Sequence, residues 1–202
     1  MIAGFTKSTV RCNGVDLSVH RAGQGVPLLL IHGFPQNHMC WERVAPQLAR
    51  HNDVIIPDLR GYGESEAPPN EPGNSTYSKR TMAQDIADLL TTLAIRRANI
   101  LGHDRGARVA YRFALDHPKR LGKLGIIEIV PTADFWASWN ADLAMAAYHW
   151  TFLAQPAPLP ESMIGADPVA YVDWTLAQWT QSKSLNTFSP GALESYRKQV
   201  QD

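Results

Sequence analysis

Short apolar runs alternate along this chain with stretches of helical period, and that alternation limits the fold more than any other feature. "VPLLLIHG" (26–33) and "NDVIIPDLRG" (52–61) are continuous apolar runs ending in glycine, as strands buried on both faces do. From Ser78 to Leu93 the apolar residues Met82, Ile86, Leu89, Leu90 and Leu93 fall at helical spacing. "ANILGHD" (98–104) then reads as a short strand, and Arg105 to Leu115 as a helix stopped by Asp116-His117-Pro118. "LGKLGIIEIVP" (121–131) reads as a further strand. This order predicts right-handed βαβ units and a mostly parallel sheet flanked by helices.

The composition changes after Pro131. Five of the six tryptophans, Trp136, Trp139, Trp150, Trp174 and Trp179, lie in the last third. That segment is helix-like, interrupted by "QPAPLP" (155–160), which is expected to be extended. Packing between short helices accounts for such tryptophan density. So does a helical cap whose aromatic residues line a pocket over the sheet, and a cap is expected because the segment breaks the strand–helix alternation directly after a strand. The chain is therefore divided into a core, 1–131, and a cap region, 132–202.

A chain of 202 residues, 45% hydrophobic and of formal charge zero, suits one soluble unit with a sizeable core. Nothing in its charge suggests nucleic acid or an anionic membrane as a partner. The segment "MIAGFTKSTVRCNG" lacks the apolar stretch of a signal peptide, and no apolar run approaches membrane-spanning length. Cys12 and Cys40 lie far apart without metal spacing. Free thiols in the cytoplasm are expected, with no metal and no cofactor.

The segment "GHDRGARVAYR" (102–112) has the Gly-x-nucleophile-x-Gly spacing of a strand–turn–helix elbow, with Asp104 in the nucleophile slot. Gly102 and Gly106 would let the chain turn sharply, holding Asp104 at the positive end of the following helix. The same residues also describe an Asp N-cap over a Gly-rich turn. The chemistry separates the two. A serine must lose a proton to attack, whereas a carboxylate is already ionised and can displace a leaving group from an sp3 carbon. An Asp elbow therefore points to alkyl halides or epoxides, through an alkyl ester that activated water hydrolyses. In "HGFPQ" (32–36) the backbone N–H of Phe34 can pair with that of Arg105 as an oxyanion hole, since Pro35 has no N–H to give. His32 reads as a hydrogen-bonding residue of that turn. Arg105 and Arg108, three apart, share a helix face and can form a fork for one carboxylate.

On these residues, and on "HGFPQNHMCW", "PDLRGYGES", "IEIVPT", "YHWTFLAQPAPLPESMIG" and "ESYRKQ", the sequence resembles the α/β-hydrolase fold and, within it, the haloacetate (fluoroacetate) dehalogenases. The resemblance implies that Asp104 is the nucleophile, that Arg105 and Arg108 hold the carboxylate of a small halogenated acid, and that His149 and Trp150 belong to a halide pocket. It also implies that Glu128, read as a buried acid at the end of the "GIIEIV" strand, orients a catalytic histidine; Asp134 is the other acid in range. The triad order requires a histidine after that acid; the one histidine that follows Glu128, His149, is already placed in the cap, so the resemblance puts the base in a loop expected beyond residue 202. The chain thus reads as the N-terminal two-thirds of such an enzyme, with its last strand an exposed edge through which two copies are expected to pair. Two other readings stay open. An epoxide hydrolase would need cap tyrosines, for which Tyr148 and Tyr171 are the local candidates, and a ligand-binding protein of this fold would need no base.

Overall fold

A computed structural model describes residues 1–71 and 73–201. Strands β1 (Thr6–Cys12) and β2 (Val15–Ala22) form an antiparallel hairpin. Its turn is Asn13-Gly14, both at positive φ (46° and 81°), as a two-residue hairpin turn requires. The strands β3 (Val26–Ile31), β4 (Asn52–Pro57), β5 (Ala98–His103) and β6 (Leu121–Ile127) run parallel to one another, in the order β1-β2-β4-β3-β5-β6. Because β2 pairs antiparallel with β4, the sheet is mixed at one side rather than wholly parallel.

Between the strands lie α1 (Ala45–Leu48), α2 (Lys79–Thr92) and α3 (Arg105–Asp116). The Ser78 side chain accepts the Thr81 N–H at the start of α2, and Met82, Ile86, Leu89 and Leu90 are buried, as their spacing predicts. The apolar strands feed two cores. Leu29, Ile31 and Ile55 pack with α2 and α3, while Leu30, Val54 and Ile56 pack on the opposite face.

After Ile127 every described element is helical: α4 (Thr132–Ala137), α5 (Ala141–Ala146), α6 (Tyr148–Phe152), α7 (Leu159–Ala166), α8 (Pro168–Trp179) and α9 (Pro190–Lys198), with short 3-10 turns between. Two expectations need correction. The strand read to Pro131 stops at Ile127, where Glu128 takes φ +61° and turns the chain out of the ladder. Within "QPAPLP", Leu159 and Pro160 are helical, because a proline in the first turn of α7 has no intrahelical hydrogen bond to lose. The last two helices are not set apart from the sheet. Val172 and Leu176 of α8 and Ala192 and Tyr196 of α9 are buried in the same core as Leu30 and Ile56.

On its outer side β6 has no strand partner among the described residues, and its Leu124, Ile126 and Ile127 are exposed. Both cysteines are free thiols, and burial pushes the Cys12 thiol up to about 12. No described helix is long and apolar enough to cross a membrane.

Candidate active site

Asp104 stands between β5 and α3 with φ 47° and ψ −117°, a strained turn that only close packing holds. The packing is visible at the glycines. A Cβ on Gly102 would lie 2.5 Å from the Gly106 carbonyl oxygen. One on Gly106 would lie 2.3 Å from the carbonyl oxygens of Ile31 and His32, so β3, β5 and α3 can approach this closely only over glycine. The Asp104 side chain does not cap α3. Its Oδ2 instead accepts the Phe34 N–H at 2.9 Å, and the carboxylate faces a cavity. The helix-cap alternative is thereby excluded.

The turn bearing Phe34 is held from three sides. A Cβ on Gly33 would meet the Asp104 Cβ at 2.5 Å, so this residue lets the turn pass the carboxylate. His32 is fully buried; its Nε2 accepts the Leu59 N–H at 3.0 Å, which leaves Nδ1–H to donate to the Gly33 carbonyl at 3.1 Å. Burial lowers its pKa, which keeps the imidazole neutral. From the C-terminal cap of α9, the Gln199 amide donates to the Pro35 carbonyl and accepts the Gly63 N–H at 2.8 Å. Sequence reasoning missed Gln199, since a glutamine on an amphipathic helix carries no signal of a distant turn.

Arg105 and Arg108 both line a cavity of about 360 Å3 together with Asp104, Lys79, His149 and Trp150. They reach it through different neighbours. The Arg105 Nη1 donates to the Tyr62 hydroxyl at 3.2 Å, and its Cζ lies 4.8 Å from the Phe34 ring centroid. Proximity to Tyr62 raises the Arg105 pKa. Arg108 is buried; its Nη1 donates to Thr132 Oγ1 at 2.7 Å, and its Cζ lies 4.3 Å from the Trp150 ring. Burial lowers the Arg108 pKa, a sign of a charge short of compensation. As the first residue of α3, Arg105 also has a backbone N–H without an intrahelical carbonyl.

His149 and Trp150, on α6, border this cavity and a larger one of about 720 Å3. The His149 Nδ1 is buried without a hydrogen-bond partner, and burial lowers the pKa of the ring. Glu128 lines the larger cavity with Asp104, but it is exposed rather than buried in a strand. The reason is its place one residue beyond an edge strand, where no described element covers it. Asp134 is exposed in the first turn of α4 and borders neither cavity. Tyr148 and Tyr171 also border neither; the Tyr171 hydroxyl is buried without a partner. Lys79, Tyr62 and Thr132 were not singled out in the sequence, because nothing local distinguishes them.

Away from these cavities, ligand atoms of His20, His38 and Asp58 lie within 4.8 Å of one another. Asp58 is already committed to the His38 N–H at 2.7 Å, the His38 Nδ1 at 3.0 Å and the Glu64 N–H at 3.2 Å, which makes it a brace for the loop after β4.

Comparison with known proteins agrees with the sheet and its flanking helices. The chain is 43% identical over its full 202 residues to the fluoroacetate dehalogenase of a Burkholderia species, and spans 66% of that protein's length. It is 32% identical over 197 residues, 97% of its length, to the soluble epoxide hydrolase of Corynebacterium sp. (strain C12), spanning 67% of it. A solved structure from Nostoc sp PCC 7120, provisionally assigned as an alpha/beta hydrolase, superposes with a TM-score of 0.95 at 42% identity, covering 98% of this chain and 67% of the other. The family model for the alpha/beta hydrolase fold matches residues 26–200. The chain belongs to the α/β hydrolase fold family.

Proposed function

We propose that this chain carries the nucleophile and substrate-binding side of a hydrolytic dehalogenase of short 2-haloacids, converting haloacetate to glycolate and halide. The observation that carries the reading is the Asp104 carboxylate, turned away from its helix into a cavity shared with two guanidinium groups. Arg105 and Arg108 would hold the substrate carboxylate, placing its Cα before Asp104. One Asp104 oxygen then attacks Cα while the carbon–halogen bond breaks and its electron pair leaves with the halide. The unpaired His149 Nδ1 and the Trp150 indole N–H are the donors that would receive the halide. The ester carbonyl oxygen would fall against the N–H groups of Phe34 and Arg105 when water attacks. Glu128 would orient the base that activates that water, and residues 132–202 would form the cap. The similarity to a protein named fluoroacetate dehalogenase supports the substrate class.

The epoxide hydrolase reading draws on the 32% relative. It needs a hydroxyl donor facing Asp104, and Tyr148 and Tyr171 lie off both cavities. The test is intact-mass analysis after bromoacetate, with peptide mapping and an Asp104→Asn control, because Cys12 and Cys40 are competing targets. One carboxymethyl group on Asp104, with bromide released, supports the dehalogenase. Diol formation from a terminal epoxide would favour the epoxide hydrolase instead. Equal labelling of Asp104→Asn overturns the nucleophile, and saturable binding without labelling would favour a binding protein.

A further inference from the structure

Lys79 opens α2 and has no role in the chemistry above. Its side chain is half-buried, bordering the small cavity with Asp104, Arg105 and Arg108. It also borders a neighbouring cavity of about 310 Å3 with Phe34, Tyr62, Tyr77 and Arg105, so it stands in the wall between the two. The hydrogen-bonding contact made by its ammonium is to the Met82 thioether at 3.7 Å, a weak acceptor, and it forms no salt bridge among the described residues. Arg105 and Arg108 likewise hold only neutral partners, a tyrosine hydroxyl, a threonine hydroxyl and a backbone carbonyl. Three cations thus face one carboxylate, and the cavity has more positive charge than Asp104 neutralises.

We propose that Lys79 is a third anion-holding cation of this site, a specificity-determining residue that favours carboxylate-bearing substrates over neutral ones. The inference rests on the dehalogenase reading for its reaction but not for its binding. The groups facing Lys79 are Asp104, Arg105 and Arg108 from the elbow and α3, Tyr62 and Tyr77 from the loop before α2, and His149 from α6. Burial, then the two arginines, push the lysine down to about 8, with Asp104 opposing them. The ammonium form is therefore complete below that value and is lost as pH rises through it. A bound carboxylate favours the charged form, so binding near pH 8 should take up a fraction of a proton.

The experiment uses the full chain and two alkylating probes of similar size, bromoacetate and neutral bromoacetamide. Their second-order rate constants for labelling Asp104 are compared by intact mass from pH 6.5 to 9.5. In the unaltered chain the bromoacetate-to-bromoacetamide ratio should fall across a midpoint near 8. Lys79→Met should lower the ratio about tenfold at pH 7, the loss of one charge-assisted hydrogen bond, and flatten its pH dependence. Lys79→Arg should restore the ratio and keep it high to pH 9.5. A ratio indifferent to all three side chains overturns the inference. Acetate, which cannot alkylate, is titrated calorimetrically in two buffers of different ionisation enthalpy. If acetate affinity falls about tenfold in Lys79→Met while neither reagent labels Asp104, the cation role stands and the dehalogenase reading fails. If Asp104 is labelled but neither ratio nor acetate affinity moves, Lys79 alone is wrong.

Discussion

On one side of Asp104 the cavity wall is packed backbone; on the other it is a stack of aromatic side chains on short helices. The first side is β3, β5 and α3, where Leu29, Ile31 and Val109 are fully buried and the glycines leave no room for a methyl group. The second side is α4 to α6, where Phe135 and Trp150 lie 4.1 Å apart and Trp136 and Trp139 4.8 Å apart, while Trp136 and Met145 remain 44% and 81% exposed. The proposed nucleophile Asp104, the Phe34 N–H and both arginines sit on the rigid side. His149 and Trp150, the proposed halide donors, sit on the looser one. In the proposed reaction, attack at carbon needs in-line geometry, so its atoms belong where the backbone cannot shift, whereas a departing halide tolerates a wall that can adjust.

The sharpest way to break this contrast is to add one methyl group to the rigid side and one to the helical region beyond the looser side. Gly106→Ala would drive a Cβ to 2.3 Å from two backbone oxygens, which cannot move without parting β3 from α3. A loss of at least about 3 kcal/mol in urea unfolding is expected, at the upper end for overpacked cores, together with loss of Asp104 labelling. Gly165→Ala, in α7 with nothing within 4 Å, should be neutral or stabilise by up to about 1 kcal/mol. Similar losses at both positions would mean that the helical region is packed as tightly as the elbow.

A second large effect belongs to the sheet, away from the helical side. Both ring nitrogens of His20 on β2 are buried without partners, and its ring stacks 3.7 Å from that of His38. Burial, then the neighbouring His38, bring it down to about 4. The folded state thus refuses a proton that the unfolded chain accepts near 6.5. The contribution to stability is complete above about pH 6.5 and lost as pH falls toward 4, about 3 kcal/mol in all. His20→Leu should flatten urea midpoints across that window, and an unchanged acid slope would place the sensitivity elsewhere.

The same contrast explains what could be read from the sequence. The apolar runs of β3 and β4, the spacing in α2 and the elbow glycines are local patterns with a single structural solution. The Asn13-Gly14 hairpin was also written locally, but its strands carry polar residues on their exposed face, which broke the apolar runs that identify a buried strand. Glu128 could not be read correctly, because its burial depends on whether another element covers β6. Gln199 and Lys79 acquire meaning only when a helix meets a turn many residues away. In sequence they look like solvated helix positions.

Arg108→Lys tests the boundary between the two sides, since Arg108 stands on α3 yet bonds Thr132 of α4 and stacks on Trp150 of α6. A lysine offers a point charge without the planar fork or the stacking face. Bromoacetate labelling of Asp104 should fall by about tenfold or more, and labelling by bromoacetamide much less. Equal losses would show that Arg108 supports the wall rather than the substrate.

The smallest effect on stability, with the clearest effect on association, is expected at the edge of the rigid side. Ile126 is 45% exposed on β6, in register with Gly102 of β5, and its neighbour Ile127 is 37% exposed on the opposite face. Among the described residues no strand pairs the outer side of β6, and an edge strand apolar on both faces is a template for a second copy. We propose that two copies of this chain associate through it. Ile126→Lys keeps the β5 pairing and the backbone intact, so urea stability should change by no more than about 0.5 kcal/mol. A lysine at an edge opposes its own copy across the pair, so sedimentation velocity should show the dimer dissociating at a protein concentration roughly tenfold higher than the one at which the unaltered chain dissociates. A dimer that tolerates the lysine would place the contact elsewhere, and the exposed aromatic residues of the looser side, Trp136 and Trp174, would be the next surface to test.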